Sequence, residues 1–504
     1  MSWKPVLLIL VVFGASLRGQ TRVQNRGISQ TRSQAPSSRS QAPSQSQGTP
    51  KYLTFQIFTP ANNSQTWRDN FPPDPKSIEE TVDSIERAIG PAGNTENVLG
   101  FAPGPISFDH SDEQVRDMMR RSFDLALKKK MAVSFHLDDS MFWGRLKNLN
   151  TRENTEWLDW KKTPSTGRQL KWSTKATKIM PQLCYNSPAV KEEVRKRAAL
   201  IGAEVQEGMR RLKAAGQSRL FAGVMSGWET QMGRDFATDK PLGYCALANK
   251  GFSAAKPPAD FEREVAEVVR EFVEHWTASL VQGGVPQDKI FSHIAFVPET
   301  IYEMQKFADP GRKRAPYLEM SNFSDPRVAF GTRHLPGFST YPMMGQAEEI
   351  QEERQRRGNP AWASCEGTAI DPFVAEKGGK GISMETYLGG MYNKGAVLVN
   401  IFGWAVGPPS NPFRKVAENP DAIQAYRKFL RGEKLVEGVS QAPTRRFFAK
   451  MGQLKQKLPP YVQANGPSKV QQLYEALNKD VQAQRFADAE RSLDRLLEIV
   501  GAKQ

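Results

Sequence analysis

The chain has 504 residues, 39% of them hydrophobic, and a formal net charge of +15. That length is enough for a large core, and three cysteines (Cys184, Cys245, Cys365) with no CxxC spacing exclude a small disulfide-stapled scaffold and offer no structural zinc set. Residues 1–50 hold one Lys and five Arg with no acid, so six of the fifteen charges precede the first predicted strand; the thin spread of the rest describes a solvated surface and no nucleic-acid patch.

Met1 to Lys4 put a positive charge ahead of the apolar run Pro5 to Gly14, and small residues such as Ala15, Ser16 and Gly19 follow. This is the pattern of a signal peptide over residues 1–19, and it predicts a secreted or periplasmic protein. The run is shorter than the roughly 20 residues of a spanning helix, and no later stretch is long and uncharged enough, so no membrane span is expected. Residues 20–50 consist mainly of Ser, Gln, Arg, Pro and Thr and read as a disordered linker, because they bury too little apolar surface to offset chain entropy.

From Lys51 onward, short β-branched or aromatic runs alternate with stretches of helical period. Predicted strands are Tyr52 to Phe58, Asn97 to Phe101, Met131 to Leu137, Leu220 to Ser226, Ile290 to Val297, Val328 to Gly331, Ala361 to Cys365 and Val397 to Trp404. Predicted helices lie near Pro75 to Ile89, Asp112 to Lys129, Ser187 to Ala215, Ala259 to Gln282, Glu299 to Phe307, Gln346 to Arg356, Ser383 to Lys394 and Pro420 to Leu430. Eight such units suit an α/β fold of the (β/α)8 TIM-barrel class with enlarged loops, spanning residues 51–440. A doubly wound open sheet is the alternative; no strand is followed by a GxGxxG or GxxxxGK[ST] phosphate loop, which favours the barrel. Residues 441–504 form a C-terminal helical extension, in which Lys469 to Val500 reads as two amphipathic helices broken near Arg485. Ala487 and Ala489 give that hairpin a tetratricopeptide-like look, either capping the barrel or docking a protein partner.

In a barrel, chemistry sits beyond the C-terminal ends of the strands. The third strand runs into His136, Asp138, Asp139 and Trp143, the fourth into Trp228 and Glu229, the seventh into Trp362 and Glu366, and the eighth into Trp404. Glycoside hydrolysis needs one carboxylic acid to protonate the leaving oxygen and a second carboxylate to attack the sugar or activate water. Glu229 and Glu366, lone acids on strands that face each other across the mouth, fit as the catalytic pair, with a carbohydrate substrate and no cofactor or metal. Indoles stack on sugar C–H faces, so Trp143, Trp228, Trp362 and Trp404 are expected to bind substrate. The insertion from Gly144 to Asn186, with Trp157, Trp160 and Trp172, is long enough to form a wall for an extended substrate. His334 and Tyr341, after the sixth predicted strand, could hold a nucleophilic carboxylate ionised. Glu299, after the fifth, is a third acid at this rim or the first-turn residue of a helix.

With these placements the chain resembles the retaining glycoside hydrolases of clan A over about residues 52–432. The resemblance implies that Glu229 is the acid/base, Glu366 the nucleophile and Trp404 a floor for the sugar; where that clan commonly has Asn before the acid/base, this chain has Trp228. Two other readings remain: a non-catalytic carbohydrate-binding or cell-envelope scaffold, and a metal-dependent hydrolase built on His136, Asp138 and Asp139. Asp138 and Asp139 would otherwise bind sugar hydroxyls beside His136. Cys365 has no adjacent base and reads as a small buried residue, and Cys184 and Cys245 could pair in an oxidising compartment.

Overall fold

The computed structural model describes residues 49–59, 77–90, 93, 96–172, 176–299, 301, 323–343, 345–436, 438, 442–482 and 485–501. The signal-peptide stretch, the linker up to residue 48 and most of the helix expected over Glu299 to Phe307 lie outside these residues.

Eight parallel strands form the central sheet: β1 Lys51–Phe58, β2 Asn97–Gly104, β3 Ala132–His136, β4 Phe221–Ser226, β5 Ile290–Ser292, β6 Gly337–Thr340, β7 Trp362–Gly367 and β8 Ala396–Ile401. β1 pairs with both β2 and β8, in register Lys51 with Asn97 and Tyr52 with Leu398, and β8 pairs with β7 and β7 with β6. The remaining seam joins β5 to β6 through parallel bridges of Phe291 with Leu335 and Ile294 with Phe338. Its hydrogen bonds run from Ile294 N–H to Gly337 (3.1 Å) and from Ser339 N–H to Ile294 (2.9 Å), so the ladder returns on itself as a (β/α)8 barrel.

Helices wrap this sheet: α1 Ile78–Ile89, α2 Asp112–Lys129, α3 Pro188–Ala214, α4 Phe261–Gln282, α5 Gln346–Gln355, α6 Met384–Tyr392 and α7 Pro420–Leu430. Their starts are written locally. Ser77 with Glu80 and Ser111 with Gln114 make reciprocal capping boxes, Asp260 accepts from the Arg263 amide, and Pro188 opens α3 where no N–H is needed. The outward side chains of the strands supply the core between the layers. Phe55 meets Tyr426 of α7 at 5.0 Å, and Phe123 of α2 lies 5.4 Å from Phe135. The inward residues Thr54, Gln56, His136 and Asn400 are buried and polar, unlike the branched aliphatic filling usual in such barrels.

The sixth strand differs from the expected Val328 to Gly331. There Asp325 accepts from the Arg327 amide and Pro326 occupies the first turn, which winds Pro326–Ala329 into a 3-10 helix. The strand is instead Gly337–Thr340, whose glycine leaves no side chain to collide with the Ser292 carbonyl across the seam. Within the insertion, Arg168–Leu170 and Thr177–Ile179 pair as an antiparallel hairpin.

After the barrel come α8 Ala442–Asn465, α9 Ser468–Gln482 and α10 Phe486–Gly501. Phe447, Leu454, Leu477, Leu493 and Leu496 make a core of their own, separate from the barrel's. No described helix is long and apolar enough to cross a membrane.

Candidate active site

Glu229 and Glu366 meet at the C-terminal mouth of the barrel. The turn after β4 places the first: Gly227 has φ +108° and Glu229 itself φ +55°, a left-handed conformation that a glutamate rarely adopts and that a functional position can retain. This turn aims Trp228 and Glu229 at different partners. The Trp228 indole N–H donates to Glu366 Oε2 at 2.8 Å, and the Tyr341 hydroxyl donates to Glu366 Oε1 at 2.7 Å. Both oxygens of Glu366 therefore hold a donor. Glu229 Oε2 accepts from the Trp172 indole at 2.5 Å, and its Oε1 lies 2.8 Å from the Ser339 hydroxyl.

Both acids are buried, Glu229 4% and Glu366 5% exposed, so each carboxyl is harder to ionise than in water. Burial pushes Glu229 up to about 8, with the negative charge of Glu366 adding to the rise. Burial also raises Glu366, but the Tyr341 and Trp228 donors pull it back. Two like charges in one buried site do not ionise together, so the pair shares a proton.

The aromatic lining differs from the expected one. Trp172, from the insertion, lies 5.0 Å from Trp228, and Phe58 lies 6.1 Å from Trp228 and 5.8 Å from Phe402. Trp228, Trp172 and Phe58 form an apolar cluster at the mouth with Met141, Phe142, Leu170 and Ile179. Trp404, expected as a sugar floor, points outward: its indole donates to Ser84 of α1 and its ring meets Phe55 edge-on at 5.1 Å. β8 ends at Ile401, so Trp404 lies beyond the strand that was expected to run to it. Trp362, expected at the rim, is the first residue of β7; fully buried, it donates to the Lys394 carbonyl at the opposite end of the barrel. Trp143 is likewise a core residue, donating to the Pro181 carbonyl.

The other sequence candidates separate in the same way. His334 precedes the true β6 and bonds Thr277 of α4 and the Ala329 carbonyl, away from Glu366; its expected position followed from the misplaced sixth strand. Glu299 is exposed, unlike the buried pair, and its N–H donates to Glu349. Asp138 accepts the amides of Ser140, Met141 and Phe142, which fixes the turn after β3, and burial followed by the charge of Asp139 raises it to about 7. Asp139 accepts from Thr230 at 2.5 Å and Ser140 at 3.1 Å, tying that turn to the Glu229 loop. The His136 ring nitrogens contact Gln56 and His293. Among the described residues no group of three His, Cys, Asp or Glu is spaced to hold a metal ion.

Four contributors were not singled out from sequence: Ser339, His293, Gln56 and Asn400. The legible signal was Thr54 and Gln56 alternating with Leu53, Phe55 and Ile57 on β1, which turns polar groups into a barrel interior. Arg168 is also notable. It is 1% exposed, its three guanidinium nitrogens have no hydrogen-bond partner among the described residues, and its charge opposes the upward shifts of Asp139 and Glu229. Cys184 and Cys245 are buried free thiols, and burial with the Cys245 thiol alongside raises Cys184 well above its usual range; Cys365 is buried against the Ser292 carbonyl.

No family model and no curated protein matches the chain. Solved structures to which the chain is similar include three glycoside hydrolases. A GH5-4 broad specificity endoglucanase from an uncultured bacterium has a TM-score of 0.36 and 8% identity over 74% of this chain and 93% of that one. A Bacteroides ovatus GH5 xyloglucanase in complex with a XXXG heptasaccharide has a TM-score of 0.35 and 11% identity over 75% and 74%. A beta-mannanase from the blue mussel Mytilus edulis has a TM-score of 0.34 and 11% identity over 77% and 95%.

Proposed function

We propose that this chain is an exported glycoside hydrolase that cleaves an oligo- or polysaccharide with retention of configuration. The observation that carries the reading is the pair of buried carboxyls at the barrel mouth, each contacted by an indole and a hydroxyl. Glu366, kept anionic by two donors, attacks the anomeric carbon while Glu229 protonates the leaving oxygen, giving a glycosyl ester on Glu366. Glu229, now the base, then takes a proton from water; the water oxygen attacks the anomeric carbon and Glu366 leaves as carboxylate. The two acids complete this cycle without a cofactor.

Trp172, bonded to Glu229, and the aromatic cluster around it serve as the wall of the subsites. The signal-like segment at residues 1–19 supports export. The test is a panel of aryl glycosides and polysaccharides against the wild type, Glu229→Gln and Glu366→Gln. Turnover should fall about 10²–10⁴-fold in each variant with an unchanged circular dichroism spectrum. Near-normal turnover in both variants would remove the site assignment.

A further inference from the structure

Beneath the acids runs a continuous buried polar chain. The Asn400 amide donates to the Cys365 carbonyl (2.8 Å) and to Gln56 Oε1 (2.9 Å), while the Gln56 amide donates to the Gly104 carbonyl (3.0 Å). His136 Nδ1 lies 2.7 Å from Gln56 Oε1, His136 Nε2 lies 2.8 Å from His293 Nδ1, and His293 Nε2 lies 2.8 Å from Ser339 Oγ. Ser339 Oγ then lies 2.8 Å from Glu229 Oε1.

We propose that this chain fixes the direction of every proton along it and so holds the proton of Glu229 on Oε1, making His293 and Ser339 positioning residues for the acid. The inference rests on the reading of Glu229 as the general acid. Two backbone carbonyls orient the amides, so Gln56 Oε1 must accept and His136 Nδ1 must carry its hydrogen. His136 and His293 are wholly buried and stay neutral, as burial lowers His136 to about 3 and His293 well below its usual range. His136 Nε2 is therefore bare and accepts from His293 Nδ1–H, which also faces the Gly227 carbonyl at 3.2 Å. His293 Nε2 is bare in turn and requires the single hydrogen of Ser339.

With that hydrogen engaged, the contact between Ser339 Oγ and Glu229 Oε1 is made by a proton on Glu229. If Glu229 ionises, Ser339 must turn its hydrogen to the carboxylate and leave His293 Nε2 facing an oxygen with nothing to donate. An unmet buried acceptor of this kind disfavours the ionised state. The other charged or titratable groups facing Glu229 are Glu366 at the end of β7, Arg168 on the hairpin and Tyr341 after β6; none is the group that Oε1 contacts.

The direction of the effect separates this account from an ordinary hydrogen bond. Ser339→Ala should move the alkaline limb of kcat/KM down by about one pH unit. Turnover of a poor-leaving-group glycoside should fall more than that of a dinitrophenyl glycoside, which needs little acid assistance. His293→Phe, which frees the serine hydrogen for the carboxylate, should move the limb the same way, and Ser339→Thr should restore it. If Ser339 simply donates to an ionised Glu229, its removal moves the limb up, and that result, or no movement, overturns the proposal.

Difference infrared spectra against Glu229→Gln follow the protonated carboxyl without turnover. A band that ionises at lower pH in Ser339→Ala supports the relay even if no glycoside is cleaved, which would remove only the glycosidase reading. A band unmoved or shifted upward, in an enzyme that does cleave glycosides, removes the relay alone.

Discussion

The β4 and β7 rims each carry one buried glutamate on the same barrel mouth, yet the proposed mechanism gives them opposite tasks. Glu366 rests between two donors, the Trp228 indole and the Tyr341 phenol, and each can only strengthen an anion there. Glu229 has one such donor, Trp172, and a second contact, Ser339, whose hydrogen the proposed relay commits to His293. The difference teaches that similar burial does not assign similar roles; the direction of a few hydrogens does.

The largest effect on this comparison should come from stripping Glu366 of its donors. A hydrogen bond to a charged group is worth about 1.5–3 kcal/mol, so Tyr341→Phe and Trp228→Phe should each lower kcat/KM about 10–100-fold. Each should also move the acidic limb of the profile up, because the anion loses support. An unmoved acidic limb would break the assignment of Glu366 as the ionised partner.

The next effect is on stability. Glu229 has its pKa raised in the folded state, so its contribution to stability is complete below the unfolded value near 4.5 and is lost as pH rises through the folded value of about 8. Thermal melts should therefore show Glu229→Gln gaining on the wild type between about pH 5 and pH 8. A constant difference across that window would mean that Glu229 is not held protonated. Glu156 and Asp138, both raised to about 7 mainly by burial, add a shared decline that the comparison cancels.

The smallest effect should come from Trp404. With its indole bonded to Ser84 outside the barrel, Trp404→Phe should cost about 1 kcal/mol of stability in a denaturant titration and leave KM unchanged. A large rise in KM would return Trp404 to the substrate.

Much of the frame was legible because strong local patterns agreed with the final packing. β1, β4 and β8 are runs of apolar and aromatic residues with β-branching, and capping residues mark α1, α2 and α4. β6 was not legible: Gly337-Phe338-Ser339-Thr340 offers a single large apolar residue, while Val328-Ala329-Phe330 looks more like a strand until Asp325 and Pro326 are weighed. Glu229 and Glu366 were found because a lone acid at a strand end is a local signal. The aromatic partners were harder, because a strand end misjudged by two or three residues turns an indole to the other face, as at Trp404. Trp172 reaches Glu229 only through a hairpin that folds back across 57 positions of sequence, and no spacing rule anticipates that.

The roles of the two glutamates are tested most directly by azide rescue of Glu366→Ala and Glu229→Ala on a dinitrophenyl glycoside. The account predicts that azide restores turnover to Glu366→Ala with a glycosyl azide of inverted configuration, and to Glu229→Ala with one of retained configuration. The opposite stereochemical assignment, or rescue of neither variant in an enzyme that cleaves the substrate, would contradict it.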